Sequence, residues 1–276
     1  MIIYSSTFFK WKFIFTILGL TSLLSIDALA QTKPEGIYYN SGNLKLKAYL
    51  FKPEGNGPFP VYMWNHGSEK NPDSNINLAH FWVKHGFIFF MPIRRGQGDN
   101  PETYIVDAEK QIRRKKEMEM VQWKQVYALH QKANNDVLAA LKWIKQQPNI
   151  DTNNIVASGE GYGAIQVLLM AQKDAQAPLG IKSFMAFSPG SEIWSKMWSD
   201  SLKQALTMAK KPIFILDMPN DNSLPPIDTV ASVIGKKGFP NRYKLFPFLV
   251  GFSTDTKAWE KDVMKYLKDC GVNRRK

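Results

Sequence analysis

Five residues constrain this chain more than any others: Gly159-Glu160-Gly161-Tyr162-Gly163, set between two apolar runs. Asn154-Ile155-Val156-Ala157-Ser158 reads as a buried strand, and Ala164-Ile165-Gln166-Val167-Leu168-Leu169-Met170 as the helix leaving the turn. A strand that reverses sharply into a helix must let its backbone pass close to itself and to the sheet, which glycine permits. The spacing is that of a G-x-S-x-G turn, which holds a serine hydroxyl exposed at the end of a strand. Here the middle position is Gly161, so the frame is present and the reactive atom is missing. On these five residues alone an ordinary glycine-rich turn fits as well, and the rest of the chain has to decide.

At the N-terminus, Lys10 and Lys12 precede an apolar run from Phe13 to Ile26, and Asp27-Ala28-Leu29-Ala30 ends in an A-x-A pattern before Gln31. This predicts a secretory signal peptide over residues 1–30, and hence a periplasmic or secreted protein. The apolar run is shorter than the roughly 20 residues needed to cross a bilayer, which argues against an uncleaved anchor. Residues 31–276 are then expected to form a single α/β domain. Cys270 is the only cysteine, so no intramolecular disulfide forms and the fold rests on its hydrophobic core. An apolar content of 44% with 13% aromatics is enough to build one. The formal net charge of +12 reads first as a solvated surface; it is compatible with peripheral contact to an anionic envelope surface. Specific nucleic-acid binding is not expected, because no basic patch interleaved with aromatics is present.

Ile37–Asn40 and Leu44–Phe51 read as an opening hairpin, the second strand alternating around its lysines. Val61–Asn65 and Phe87–Pro92 read as buried strands separated by a helix from Ile76 to His85, and further strands are expected at Ser183–Phe187, Ile213–Leu216 and Tyr243–Phe246. Strands alternating with helices predict a mostly parallel sheet of about eight strands flanked by helices.

The order and spacing of several landmarks resemble the α/β-hydrolase superfamily over most of residues 36 to 270, especially its dienelactone-hydrolase-like and exported peptidase or esterase-like members. Asn65-His66-Gly67 looks like the oxyanion-loop HG pair, and Arg94-Arg95-Gly96-Gln97-Gly98-Asp99 like the R-G-x-G turn. Asp136–Ile144, with Pro148 and Asp151 following, is similar to the helix that precedes the elbow strand. Leu216-Asp217-Met218-Pro219-Asn220-Asp221-Asn222-Ser223-Leu224-Pro225 is similar to the acid loop, with Asp221 at the acid position, although Asn-Asp-Asn is good turn chemistry in its own right. The histidine loop corresponds to Val250-Gly251-Phe252, with Val250 where the resemblance implies histidine.

The resemblance thus implies triad positions Gly161, Asp221 and Val250, of which two lack the reactive group. No histidine occurs after His130, while the order implied is nucleophile, acid, histidine. Without serine there is no acyl intermediate, and without imidazole nothing carries the proton. Pocket and oxyanion-loop candidates are His66, Gly67, Glu160 and Tyr162. Glu160 is expected to be a solvent-facing turn residue, with a carboxylate pair of Glu160 and Asp221 as the alternative. Ser158, Ser188 and Ser191 read as ordinary strand-end or turn serines. No H-x-x-x-H, H-x-H or cysteine cluster points to a metal, and no cofactor motif is present.

Residues 101–131 depart from a minimal hydrolase. Ile105, Ile112, Met118, Val121, Trp123, Val126, Tyr127 and Leu129 are spread through a charged stretch containing Arg113-Arg114-Lys115-Lys116, which predicts one or two amphipathic helices near the mouth of the site. They read as a cap shaping a pocket, or simply as a wet basic face paired with Glu117 and Glu119. Three functions follow: an inactive hydrolase that binds a small ligand or a protein partner, an active ester or peptide hydrolase using non-standard residues, or a basic envelope-associated scaffold.

Overall fold

The computed structural model describes residues 34–113, 119–189, 206–218, 240–246 and 251–272. Eight strands form one sheet: β1 (Glu35–Ser41), β2 (Leu44–Phe51), β3 (Phe59–Asn65), β4 (Ile88–Pro92), β5 (Ile150–Glu160), β6 (Ser183–Phe187), β7 (Ile213–Asp217) and β8 (Arg242–Leu245). Their spatial order is β1-β2-β4-β3-β5-β6-β7-β8. β2 pairs antiparallel with both β1 and β4, and every later pairing is parallel. The longer helices among the described residues are α1 (Ile76–Lys84), α2 (Ile105–Ile112), α3 (Met120–Ile144), α4 (Tyr162–Gln176) and α5 (Thr256–Asp269).

The interior strands read as unbroken apolar runs because helices cover both faces of the sheet, so neither set of alternating side chains meets water. In β3, Val61 and Met63 pack toward α3 and α4, while Tyr62 and Trp64 pack toward α1 and α5. β6 divides the same way, Phe184 and Ala186 to one side and Met185 and Phe187 to the other. The α1/α5 side is aromatic: the Tyr62 and Trp82 rings stack at 3.5 Å, and Trp82 and Trp259 lie 6.2 Å apart. Trp82 and Trp259 are fully buried, and truncating either to alanine would cost about 3–5 kcal/mol.

The helices follow from their buried positions. α5 buries Trp259, Val263, Tyr266 and Leu267, one face at helical spacing. α3 starts at a reciprocal cap in which the Glu119 backbone N–H donates to Gln122 Oε1 at 2.6 Å. It then buries Trp123, Val126, His130, Ala133, Val137, Ala140 and Ile144.

Sequence and structure differ in two ways that bear on the site. The stretch expected to end near Gln131 and the separate helix expected from Asp136 are one helix, α3. No glycine or proline interrupts residues 119–144, and the polar Asn134 and Asp136 are buried with partners of their own. Asn134 Nδ2 donates to the Gln166 backbone oxygen at 3.0 Å, and Asp136 accepts from Ser41 and Arg95. Likewise β5 begins at Ile150 instead of Asn154, because Phe59 N–H donates to the Asn149 oxygen at 2.8 Å and Phe59 registers with Ile150.

Candidate functional site

β5 turns into α4 at Gly161, whose backbone has φ 54° and ψ −115°. This region is open to glycine and strained for other residues. Gly161 N–H donates to the Phe187 oxygen at 2.9 Å, and the Gly161 oxygen accepts from Ile165 N–H at 3.2 Å. A Cβ at Gly161 would meet nothing within 4 Å, whereas one at Gly163 would fall on the Asn65 carbonyl oxygen and one at Gly159 would lie 2.6 Å from that same oxygen. The flanking glycines are therefore demanded by close packing of the turn on the end of β3. The apex has room for a side chain and carries none.

Glu160 corrects the sequence reading. Its carboxylate is half-buried and points to the segment after residue 250, where Oε1 accepts from Phe252 N–H at 3.2 Å. Burial raises its pKa, with the Glu69 charge adding to the rise, and the hydrogen bonds from Phe252 and Ser253 oppose it. The segment it reaches is well anchored: Phe252 is fully buried, its ring 5.1 Å from Phe187, and its oxygen accepts from Trp259 Nε1 at 2.8 Å. Asp221 and Val250 lie outside the described residues, as does Ser191.

On the other side of the turn, His66 and Arg94 form a fully buried cluster. Arg94 Nη2 donates to the backbone oxygens of His66 (2.7 Å) and Gly67 (2.6 Å), and Nε donates to Gln97 Oε1 at 3.2 Å. His66 Nδ1 lies 3.0 Å from Nη2 and 3.1 Å from the Gly67 backbone oxygen. Burial and the Arg94 charge hold the His66 pKa well below its ordinary value, so the ring is neutral. The Arg94 guanidinium stacks on the Tyr162 ring, 4.7 Å from its centroid. Burial pushes the Tyr162 phenol pKa up.

These placements sort the expected site residues. Gly67 lies against the turn, where a Cβ would sit 3.7 Å from the Glu160 oxygen. His66 serves to fix the loop with Arg94 and does not approach Asp99, which is exposed and 3.9 Å from Lys47. His80 and His85 belong to the opposite face, the first edge-on to Phe51 and the second 3.1 Å from Glu260. His130 is the surprise: from α3 its ring meets the Tyr162 ring at 4.8 Å and its Nε2 lies 3.0 Å from Glu109 Oε1. Ser188 is also less ordinary than its sequence context, with φ 43° and a buried hydroxyl. It closes β6 beside Gly161. Among the described residues no group of three His, Cys, Asp or Glu is placed to hold a metal ion.

A cavity of about 300 Å³ opens next to this cluster. It is lined by Arg94, Arg95, Gln97, Glu102, Thr103 and Tyr162, by Ile105 and Ala108 of α2, and by Leu129, Lys132 and Ala133 of α3. Gly161 is not among its lining residues.

No protein-family model matches the sequence, and no curated protein matches it. Solved structures do. The dipeptidyl peptidase 4 of Porphyromonas gingivalis superposes with a TM-score of 0.61 at 14% identity, over 86% of this chain and 35% of that one. Est1E of Butyrivibrio proteoclasticus, solved with ferulic acid, gives 0.60 at 14% identity over 84% of this chain and 99% of its own. A protein of Klebsiella pneumoniae assigned as a dienelactone hydrolase gives 0.61 at 12% identity, over 87% and 99%. The chain thus spans about a third of the peptidase and nearly all of the two smaller proteins. These likenesses establish the α/β-hydrolase fold, in agreement with the motifs.

Proposed function

We propose that this protein is an exported, catalytically inactive hydrolase-fold protein that has kept a pocket for a small ligand or a partner segment. One observation carries the reading: the turn that would present a nucleophile keeps its strained apex and its sterically demanded flanking glycines, yet the apex residue is Gly161, with open space where a side chain would stand. Two further facts support it. Glu160, the nearest carboxylate, is engaged with Phe252, and His66, the histidine of the neighbouring loop, is neutral and held by Arg94. Removal of triad members leaves only the roughly 10³ to 10⁴-fold contribution of oxyanion hole and binding. The leader over residues 1–30 supports export, which mass spectrometry of the purified protein checks by finding Gln31 as its N-terminus.

The test is turnover of short acyl esters and aminoacyl substrates by the parent, by Asp221→Ala, by Ser188→Ala and by a Gly161→Ser/Val250→His double variant. No turnover by the parent, with a gain in the double variant, is the expected result. Turnover by the parent that either single variant abolishes would overturn the reading. The strained, buried Ser188 makes that second possibility, an active hydrolase with a displaced nucleophile, specific enough to include.

A further inference from the structure

Among the described residues the buried Arg94 has no anion. Its partners are two backbone oxygens, the Gln97 amide and a neutral imidazole, and among the described residues no carboxylate lies within ion-pair distance of it. A guanidinium removed from water is normally paired, because the cost of stripping its hydration otherwise stands uncompensated. The carboxylates nearby are committed elsewhere. Asp136 takes Arg95 at 2.7 Å and Ser41 at 2.6 Å, Glu102 faces Arg95 at 3.4 Å, and Glu109 faces His130 at 3.0 Å. Glu69 comes within 4.0 Å of His66 Nδ1 but makes no ion pair with Arg94.

Three polar atoms in this cluster lack any partner, Arg94 Nη1, the Tyr162 hydroxyl and His66 Nε2, and the first two belong to residues that line the cavity of about 300 Å³. Both of those residues are at least nine-tenths buried. Buried polar groups left unmade are rare in native proteins and call for an explanation. The two donors are held together by the stacking of the guanidinium on the phenol ring. The rest of the lining is mixed: Ile105, Ala108, Leu129 and Ala133 give hydrocarbon, while Arg95, Gln97, Thr103 and the Arg95-paired Glu102 give polar groups. Lys132 also lines it, with no ion pair among the described residues, and adds positive potential at its edge.

We infer that this cavity binds a small, partly apolar carboxylate, its two oxygens received by Arg94 Nη1 and the Tyr162 hydroxyl and its hydrocarbon part by α2 and α3. The inference rests on the ligand-binding reading above and narrows it to a chemical class. Two open donors match the two oxygens of a carboxylate. Inorganic phosphate has no hydrocarbon for Ile105, Ala108, Leu129 and Ala133 to cover. A neutral ester or amide would leave the buried charge as it is. A volume near the lower end of the range for small-molecule sites, about 300–1,000 Å³, limits the ligand to a compact acid. Because both donor atoms are sealed from bulk water, a carboxylate reaches them only as the side chains at the cavity shift to admit it.

The experiment is calorimetric titration of the protein with benzoate and 4-methylpentanoate, with benzamide and 4-methylpentanamide as uncharged matches and inorganic phosphate as a third arm. The expected result is binding of the acids and none of the amides or phosphate. Tyr162→Phe, which removes an oxygen that has no partner and so spares the fold, should weaken binding by about tenfold or more. Leu129→Trp, which fills the cavity, should abolish it, with the thermal transition of each variant showing that it is folded. Equal binding of acids and amides, binding of phosphate alone, or acid binding unaffected by both variants would overturn the proposal, as would no binding at all. Ester turnover by the parent with this binding intact would sink only the inactive-enzyme reading.

Discussion

The two loops that meet at Tyr162 preserve different things. The turn from β5 to α4 keeps its backbone in full and has no reactive side chain at its apex, Gly161. The arginine loop is dense with side-chain chemistry, Arg94 to the His66 loop and Arg95 to Asp136. The contrast separates two demands that a catalytic turn usually meets at once. Close packing of α4 on β3 fixes Gly159 and Gly163 whatever the chemistry, while a Cβ at the apex would meet nothing within 4 Å.

That contrast is broken most severely at Gly163. Gly163→Ala puts a methyl group on the Asn65 carbonyl, backbone against backbone with no flexible end to yield, and is expected to cost about 4 kcal/mol or more, or to prevent folding. Gly161→Ala, two residues away, should cost only roughly 1–3 kcal/mol, the price of a side chain in a strained backbone region with free space around it. Denaturant midpoints of the pair measure this directly. Equal losses would show that the apex is packed after all and that the turn was not kept for sterics alone.

The next effect sharpens the difference between the two arginines. Asp136→Asn leaves Arg95 without its buried carboxylate and is expected to cost about 3 kcal/mol, since breaking one partner of a buried pair strands the other. Arg94→Met removes a charge that has no counter-ion among the described residues, and takes their donor from the His66 oxygen and Gln97 Oε1 while the Gly67 oxygen keeps Gln97 Nε2. The expected loss is smaller, about 1–2 kcal/mol. Thermal melts at one ionic strength would rank them. A larger loss for Arg94→Met would mean that Arg94 is compensated by a group outside the described residues, and would remove the ground for an anion in the cavity.

How much of this was readable in the chain depends on the range of the interaction. Ser183–Phe187 is β6 to the residue, because an apolar run between turns is a local signal, and the G-x-G-x-G spacing located the turn for the same reason. The continuity of α3 joins the 101–131 stretch to the helix read from Asp136, across a polar Asn134-Asn135-Asp136 run whose partners Gln166 and Arg95 are distant in sequence. His130 offered no signal of its meeting with Tyr162, since the two are 32 positions apart and only the packing of α3 beside α4 joins them. The isolation of Arg94 was equally invisible: a sequence shows that an arginine is present but not that its neighbours are carbonyls. Glu160 was misread because turn residues are usually wet, and its partner, Phe252, lies 92 positions away.

Glu160 also gives the smallest expected effect. Burial raises its carboxyl pKa in the folded state above the unfolded value, so folding favours the protonated form. That contribution is fully present below the unfolded pKa, about 4.3, and is lost as pH rises through the folded value. Glu160→Gln does not titrate and can still accept from Phe252 N–H. The parent should therefore lose stability relative to Glu160→Gln as pH rises from 4 to 7, a difference read from urea midpoints across that window. If the parent instead gains on the variant as pH rises, the hydrogen bonds from Phe252 and Ser253 outweigh burial. The carboxylate would then be the clamp that holds this loop against the turn, and the loop would loosen in acid.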